Sequence, residues 1–64
     1  MSGEELKDLR AKHQVSQQEL AIFLGYTVKG QPNRSQIARF ENGYAKINPR
    51  IAMLINLYME KKNG

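Results

Sequence analysis

Cysteine is absent from all 64 positions of this chain. That excludes disulfides, thiolate nucleophiles and thiolate metal ligands, so the fold must stand on packing, capping and, at most, a partner subunit. A long apolar run is absent too, which excludes a bilayer-spanning helix. The opening residues, Met1 to Arg10, carry Glu4, Glu5 and Asp8 and no apolar stretch. Neither a signal peptide nor an anchor is therefore expected, and the cytoplasm is the expected compartment. His13 is the single histidine and has no ligand at metal-binding spacing, so its expected role is a surface or C-capping one. Paired carboxylates, a hydroxyl beside a base and a phosphate-cradling loop are missing. An enzyme is accordingly not expected, and no metal, cofactor or small-molecule ligand is implied. Repeats, low-complexity tracts and strand-like alternation are missing as well, which leaves one all-α domain over residues 1–64 as the expected fold class. A domain of this size buries only about 60% of the surface its unfolded chain exposes, so one modest core is all it can hold.

What is present is a series of helix signals. Ser2 with Glu5 forms a capping-box pair, followed by Leu6 and Leu9 on one face, until Gln14 and Val15 break the pattern. A helix over about residues 3 to 12 is predicted. Ser16 with Glu19 repeats the box before Leu20, Ala21 and Leu24, and Gly25 supplies a left-handed C-cap, predicting a second helix over 17 to 24. Thr27 to Pro32 has no apolar period and contains Gly30 and Pro32, so it reads as a loop. Asn33 with Gln36 caps a third helix, about 34 to 42, whose Ile37 and Phe40 face inward before Gly43 ends it. Asn48 and Pro49 open a fourth, to about residue 61, with Lys61 and Lys62 suiting the macrodipole and otherwise reading as a solvated end.

The formal net charge is +4, with a pI near 9.7, but its distribution says more. Between residues 27 and 50, Lys29, Arg34, Arg39, Lys46 and Arg50 face only Glu41. The middle of the chain is thus the candidate phosphate-binding surface. On the third helix Arg34, Ser35, Ala38 and Arg39 point outward while Ile37 and Phe40 point in. Such a unit suits a DNA major groove about 12 Å wide, where a guanidinium fork matches guanine O6 and N7 together. An arginine at a helix start opposes the dipole, so helix stability is not what placed Arg34 there.

These residues resemble the Cro/CI-type (XRE) helix-turn-helix family over nearly the whole chain. The resemblance rests on Leu9-Arg10, on Ser16-Gln17-Gln18-Glu19-Leu20-Ala21 with Leu24-Gly25, and on Ser35 through Gly43. It implies a compact four-helix domain, with a fifth helix as the variant, that binds a pseudo-palindromic operator in double-stranded DNA and regulates transcription, commonly as a repressor of a small phage or mobile-element operon. By the same resemblance Asn33, Arg34, Ser35 and Arg39 fall where bases are read, with Gln36 beside them. Gln17 and Asn42 fall where phosphate is gripped, and Arg10 with Glu41 falls on a structural salt bridge. The same fold also serves as a protein-interaction module, such as an antitoxin or inhibitor, which is the alternative reading.

Two departures stand out. Tyr26 to Pro32 lengthens the usual tight turn by about six residues and brings Lys29 and Gln31 beside the groove-facing helix, either as phosphate contacts or as a solvated bulge. The other departure is at the C-terminal end, where one helix takes the place of several. Its Ile51, Leu54, Ile55 and Tyr58 form one apolar stripe, and Met53, Leu57 and Met59 lie outside it. That surplus is the expected interface of a homodimer. Tyr44, Lys46 and Arg50 complete the expected phosphate contacts, and Ile22 and Phe23 are expected to pack on the inserted loop.

Overall fold

Three of the four helices begin at residues whose side chains accept a hydrogen bond from the first turn. In the computed structural model, which describes residues 1–63, α1 spans Gly3–His13, α2 Gln17–Leu24, α3 Arg34–Glu41 and α4 Pro49–Asn63. Ser2 Oγ accepts from the Glu5 amide at 3.1 Å, Ser16 Oγ from Glu19 at 2.9 Å, and Asn48 Oδ1 from Ile51 at 2.8 Å. Asn33 departs from this pattern and its side chain makes no cap bond. Its backbone, at φ −92° and ψ 81°, is not in the extended cap conformation, and its amide donates instead to the Tyr26 carbonyl at 2.8 Å.

Each helix contributes one large, completely buried aliphatic side chain: Leu6, Leu20, Ile37 and Ile55. Val15, Ala21, Phe40, Ile47 and Met59 fill the space between them. The Cα radius of gyration is 10.8 Å, the value of a closely packed chain. Met59 therefore belongs to the core, at 2% exposure, and not to an outward interface. It lies one turn beyond Ile55, so the same face that buries the isoleucine buries it. The helix packs on α1 and α2, leaving Met53 and Leu57 outside.

The expected loop is a β-hairpin, and the chain is mostly helical rather than all-α. Strands β1 (Thr27–Val28) and β2 (Gln31–Pro32) pair antiparallel, Thr27 opposite Pro32 and Val28 opposite Gln31. Lys29 and Gly30 form the two-residue turn with φ of 53° and 79°. Positive φ at both central positions is the signature of the type I′ turn, whose twist matches that of paired strands. Phe23 finds an aromatic partner on α4. Its ring lies 4.4 Å from that of Tyr58 on α4.

The carboxylate of Glu19 reaches beyond its capping box. It accepts from the Tyr58 hydroxyl and from Lys62 Nζ at 2.6 Å, tying the end of α4 to the start of α2. Lys62 is thus half of an ion pair rather than a free solvated end. Lys62, then Tyr58, hold the Glu19 carboxyl below its ordinary range, and the Glu19 bond, with burial, pushes the Tyr58 phenol up to about 12. The carboxylate's contribution is complete above the unfolded carboxyl range and is lost as pH falls through its lowered pKa. The phenol's contribution is complete below tyrosine's ordinary range and is lost as pH rises through about 12.

Gly3 marks the tightest approach between elements. A Cβ there would overlap the Phe40 carbonyl oxygen and lie 2.5 Å from that of Glu41, so the first turn of α1 sits directly against the last turn of α3. Both obstacles are backbone and cannot swing aside. Gly3→Ala is expected to destabilise the fold by about 3 kcal/mol, read as a lowered urea midpoint with an unchanged denaturant slope.

Candidate nucleic-acid interface

The outer face of α3 follows from its helical period. At 3.6 residues per turn, Arg34, Ala38, Asn42, Ser35 and Arg39 fall in that order around an arc of roughly 140°. Ile37 and Phe40 occupy the opposite side and are buried. Arg34, Ser35, Arg39 and Asn42 are exposed, whereas Gln36 and Ala38 are partly covered. Short side chains, Ala38, Asn42 and Ser35, fill the arc between two flanking guanidinium groups, which gives a surface that can approach a partner closely in the middle and grip it at the sides.

The charges of α3 run against its dipole at both ends. Arg34 stands at the positive N-terminus and Glu41 at the negative C-terminus, each a cost of about 0.3–1 kcal/mol when unpartnered. Glu41 is compensated. Its Oε2 accepts from Arg10 Nε at 2.5 Å, and its Oε1 accepts from Gln17 Nε2 at 2.9 Å. Arg10 also reaches the Val15 carbonyl through Nη1 at 3.1 Å. With side-chain exposures of 19% for Arg10 and 5% for Glu41, this pair is largely withdrawn from water. Arg34 has no such explanation. Among the described residues the ion pairs are Arg10–Glu41 and Lys62–Glu19, so both arginines of the outer face are uncommitted.

Gln17 is consequently less free than its position on α2 implied. One of its two amide N–H bonds is given to Glu41, which leaves the other for a ligand. Asn42 sits just past the end of α3, where Gly43 at φ 80° lets the chain fold back and the Tyr44 amide donates to the Arg39 carbonyl at 2.9 Å. The Tyr44 side chain is 78% exposed, and Lys46 is exposed beside it. Asn33, partly buried, and the hairpin with Lys29 and Gln31 flank the other end of α3. Arg50 is exposed in the first turn of α4. Sequence reasoning had not found the hairpin, although Thr27-Val28 before Lys29-Gly30 carried the signal: two β-branched residues entering a glycine-containing two-residue turn.

Among the described residues no three of His, Cys, Asp and Glu converge. No family model matches the chain, and neither a curated protein nor a solved structure matches it. The geometry of α3 is therefore the chief guide to function.

The Glu41 carboxylate is the joint on which that geometry hangs. Glu41→Ala leaves Arg10 largely withdrawn from water and without its carboxylate, and is expected to cost about 3 kcal/mol. The double change Arg10→Met with Glu41→Leu is expected to recover most of that loss, since it removes both charges together. Thermal unfolding of the three proteins checks this coupling.

Proposed function

We propose that this chain is a sequence-specific regulator of transcription that binds double-stranded DNA through α3, in the manner of the Cro/CI-type helix-turn-helix proteins it resembles. The observation that carries the reading is the outer face of α3, with two uncommitted guanidinium groups at its flanks and the helix's one carboxylate, Glu41, withdrawn and paired with Arg10. Arg34 and Arg39 are the base-reading candidates, with Ser35, Gln36 and Asn33 able to donate to or accept from base edges. Gln17, Asn42, Tyr44, Lys46 and Arg50 are the candidates for phosphate, which fixes register without reading sequence. In this proposal the protein acts as a repressor of a small phage or mobile-element operon. The inner residues Ile37 and Phe40 have no direct role at the interface and hold α3 rigid from behind.

The proposal includes a homodimer. Met53 at 63% exposure and Leu57 at 44% stand one turn apart on α4. Ile47, Pro49 and Ala52 line the shallow hollow beside them. With Met59 withdrawn into the core, these two side chains are the apolar centre left to a second copy. A twofold pair would address two half-sites about 34 Å apart.

Selection of bound sites from random duplex DNA tests the reading. A pseudo-palindrome is expected, and Arg39→Ala or Arg34→Ala should lower affinity for it by about 1–3 kcal/mol and relax specificity at one base position. Failure to retain any duplex at low salt overturns the proposal and leaves the protein-interaction reading in its place. Leu57→Glu is expected to yield a folded monomer in sedimentation equilibrium, with weakened binding to the full palindrome. A variant that sediments like the parent chain sinks the α4 dimer.

A further inference from the structure

The hairpin between α2 and α3 is ordered without being buried. Thr27, Val28, Lys29, Gly30 and Gln31 are all exposed, yet they are paired in register across a tight turn. Fixing a backbone costs about 1–2 kcal/mol per residue, and these side chains return little of it through burial. The order comes from the base. The Tyr26 ring lies 5.8 Å from that of Phe40, the Tyr26 amide donates to the Ala21 carbonyl at 2.9 Å, and the Asn33 amide closes the open end on the Tyr26 carbonyl at 2.8 Å. Strand β2 packs on α2 and runs within two residues into Arg34, the first residue of α3. The hairpin is thus a projection braced at its base on α2 and on α3 itself, the helix that carries the outer face.

Its charge is of one sign. From Leu20 through Phe40 the sequence contains no aspartate or glutamate, and Lys29 stands at the tip. Two residues per strand carry the turn roughly 7 Å from the start of α3, more than half the width of a major groove of about 12 Å. With α3 seated in the groove, a turn at that distance from its first residue is within reach of the groove's wall, which is phosphate.

We propose that the hairpin is a second DNA-contacting element, which lies along the sugar–phosphate backbone flanking the site and places the Lys29 ammonium on a phosphate. This rests on the DNA-binding reading above and adds to it: the long α2–α3 connection extends the footprint outward and does not enter the groove.

Lys29→Asn is the diagnostic change, because asparagine tolerates positive φ and favours the first position of this turn better than lysine does. It removes the charge while preserving or tightening the hairpin. Binding of the full-length chain to its selected duplex, titrated across several salt concentrations, is expected to show the slope of log affinity against log salt reduced by about one for Lys29→Asn and retained for Lys29→Arg. Hydroxyl-radical protection at the outer flank should vanish in the asparagine variant with the thermal midpoint undiminished. An unchanged slope and footprint, with Arg39-dependent binding intact, overturns the hairpin's role alone. A parent chain that selects no duplex overturns the DNA-binding reading and this one with it.

Discussion

One carboxylate holds three helices in register. Glu41 closes α3, accepts from Arg10 of α1 and from Gln17 of α2, and does so at the helix end where a negative charge is least welcome. The charge is tolerable because Arg10 neutralises it and two donors satisfy its oxygens, and in a largely dry setting those bonds are directional as well as strong. Gly3 permits this arrangement, since only a residue without a side chain lets the start of α1 come so near the Phe40 and Glu41 carbonyls. The azimuth of α3, and with it the direction in which Arg34 and Arg39 point, follows from that contact.

Around this joint the molecule divides into a held side and an offered side. Leu6, Leu20, Ile37 and Ile55 close the core, and Tyr58 and Lys62 fasten α4 to Glu19 of α2. The offered side comprises the outer arc of α3, the hairpin before it and the Tyr44–Lys46 segment after it. These three stretches are contiguous in sequence, so a rigid scaffold presents them together without a hinge. Their cations have no carboxylate partners among the described residues, since Glu41, the acidic residue within these stretches, is withdrawn and paired with Arg10. That asymmetry, more than net charge, sets this face apart.

The candidate site was legible because a helix translates spacing into direction. Ile37 and Phe40 inward oblige Ser35, Ala38 and Arg39 outward, and no tertiary knowledge is needed to say so. The same logic failed on α4. There nearly every turn carries an apolar residue, and spacing does not reveal which face the neighbouring helices cover. A stripe through Ile51, Leu54, Ile55 and Tyr58 suffices for one core and leaves Met59 outside it, whereas α4 buries Ile55 and Met59 along its later turns. The inserted segment failed for another reason: with two residues to a strand, periodicity has nothing to work on, and only the turn chemistry of Lys29-Gly30 marked it.

Local chemistry in the sequence determined where the helices begin and end, because caps act through bonds to the nearest turn: Ser2, Ser16, Asn48, Gly25 and Gly43 each act within a few residues. It also determined the sign and outward direction of the α3 face. Tertiary structure alone decided where the versatile side chains go. Glu19 takes donors from Tyr58 and Lys62, Gln17 lends an amide hydrogen to Glu41, and Asn33 spends its backbone amide on closing the hairpin. Each has several possible partners of similar strength, and the choice among them depends on which groups the fold brings within about 3 Å, a distance that sequence separation does not encode.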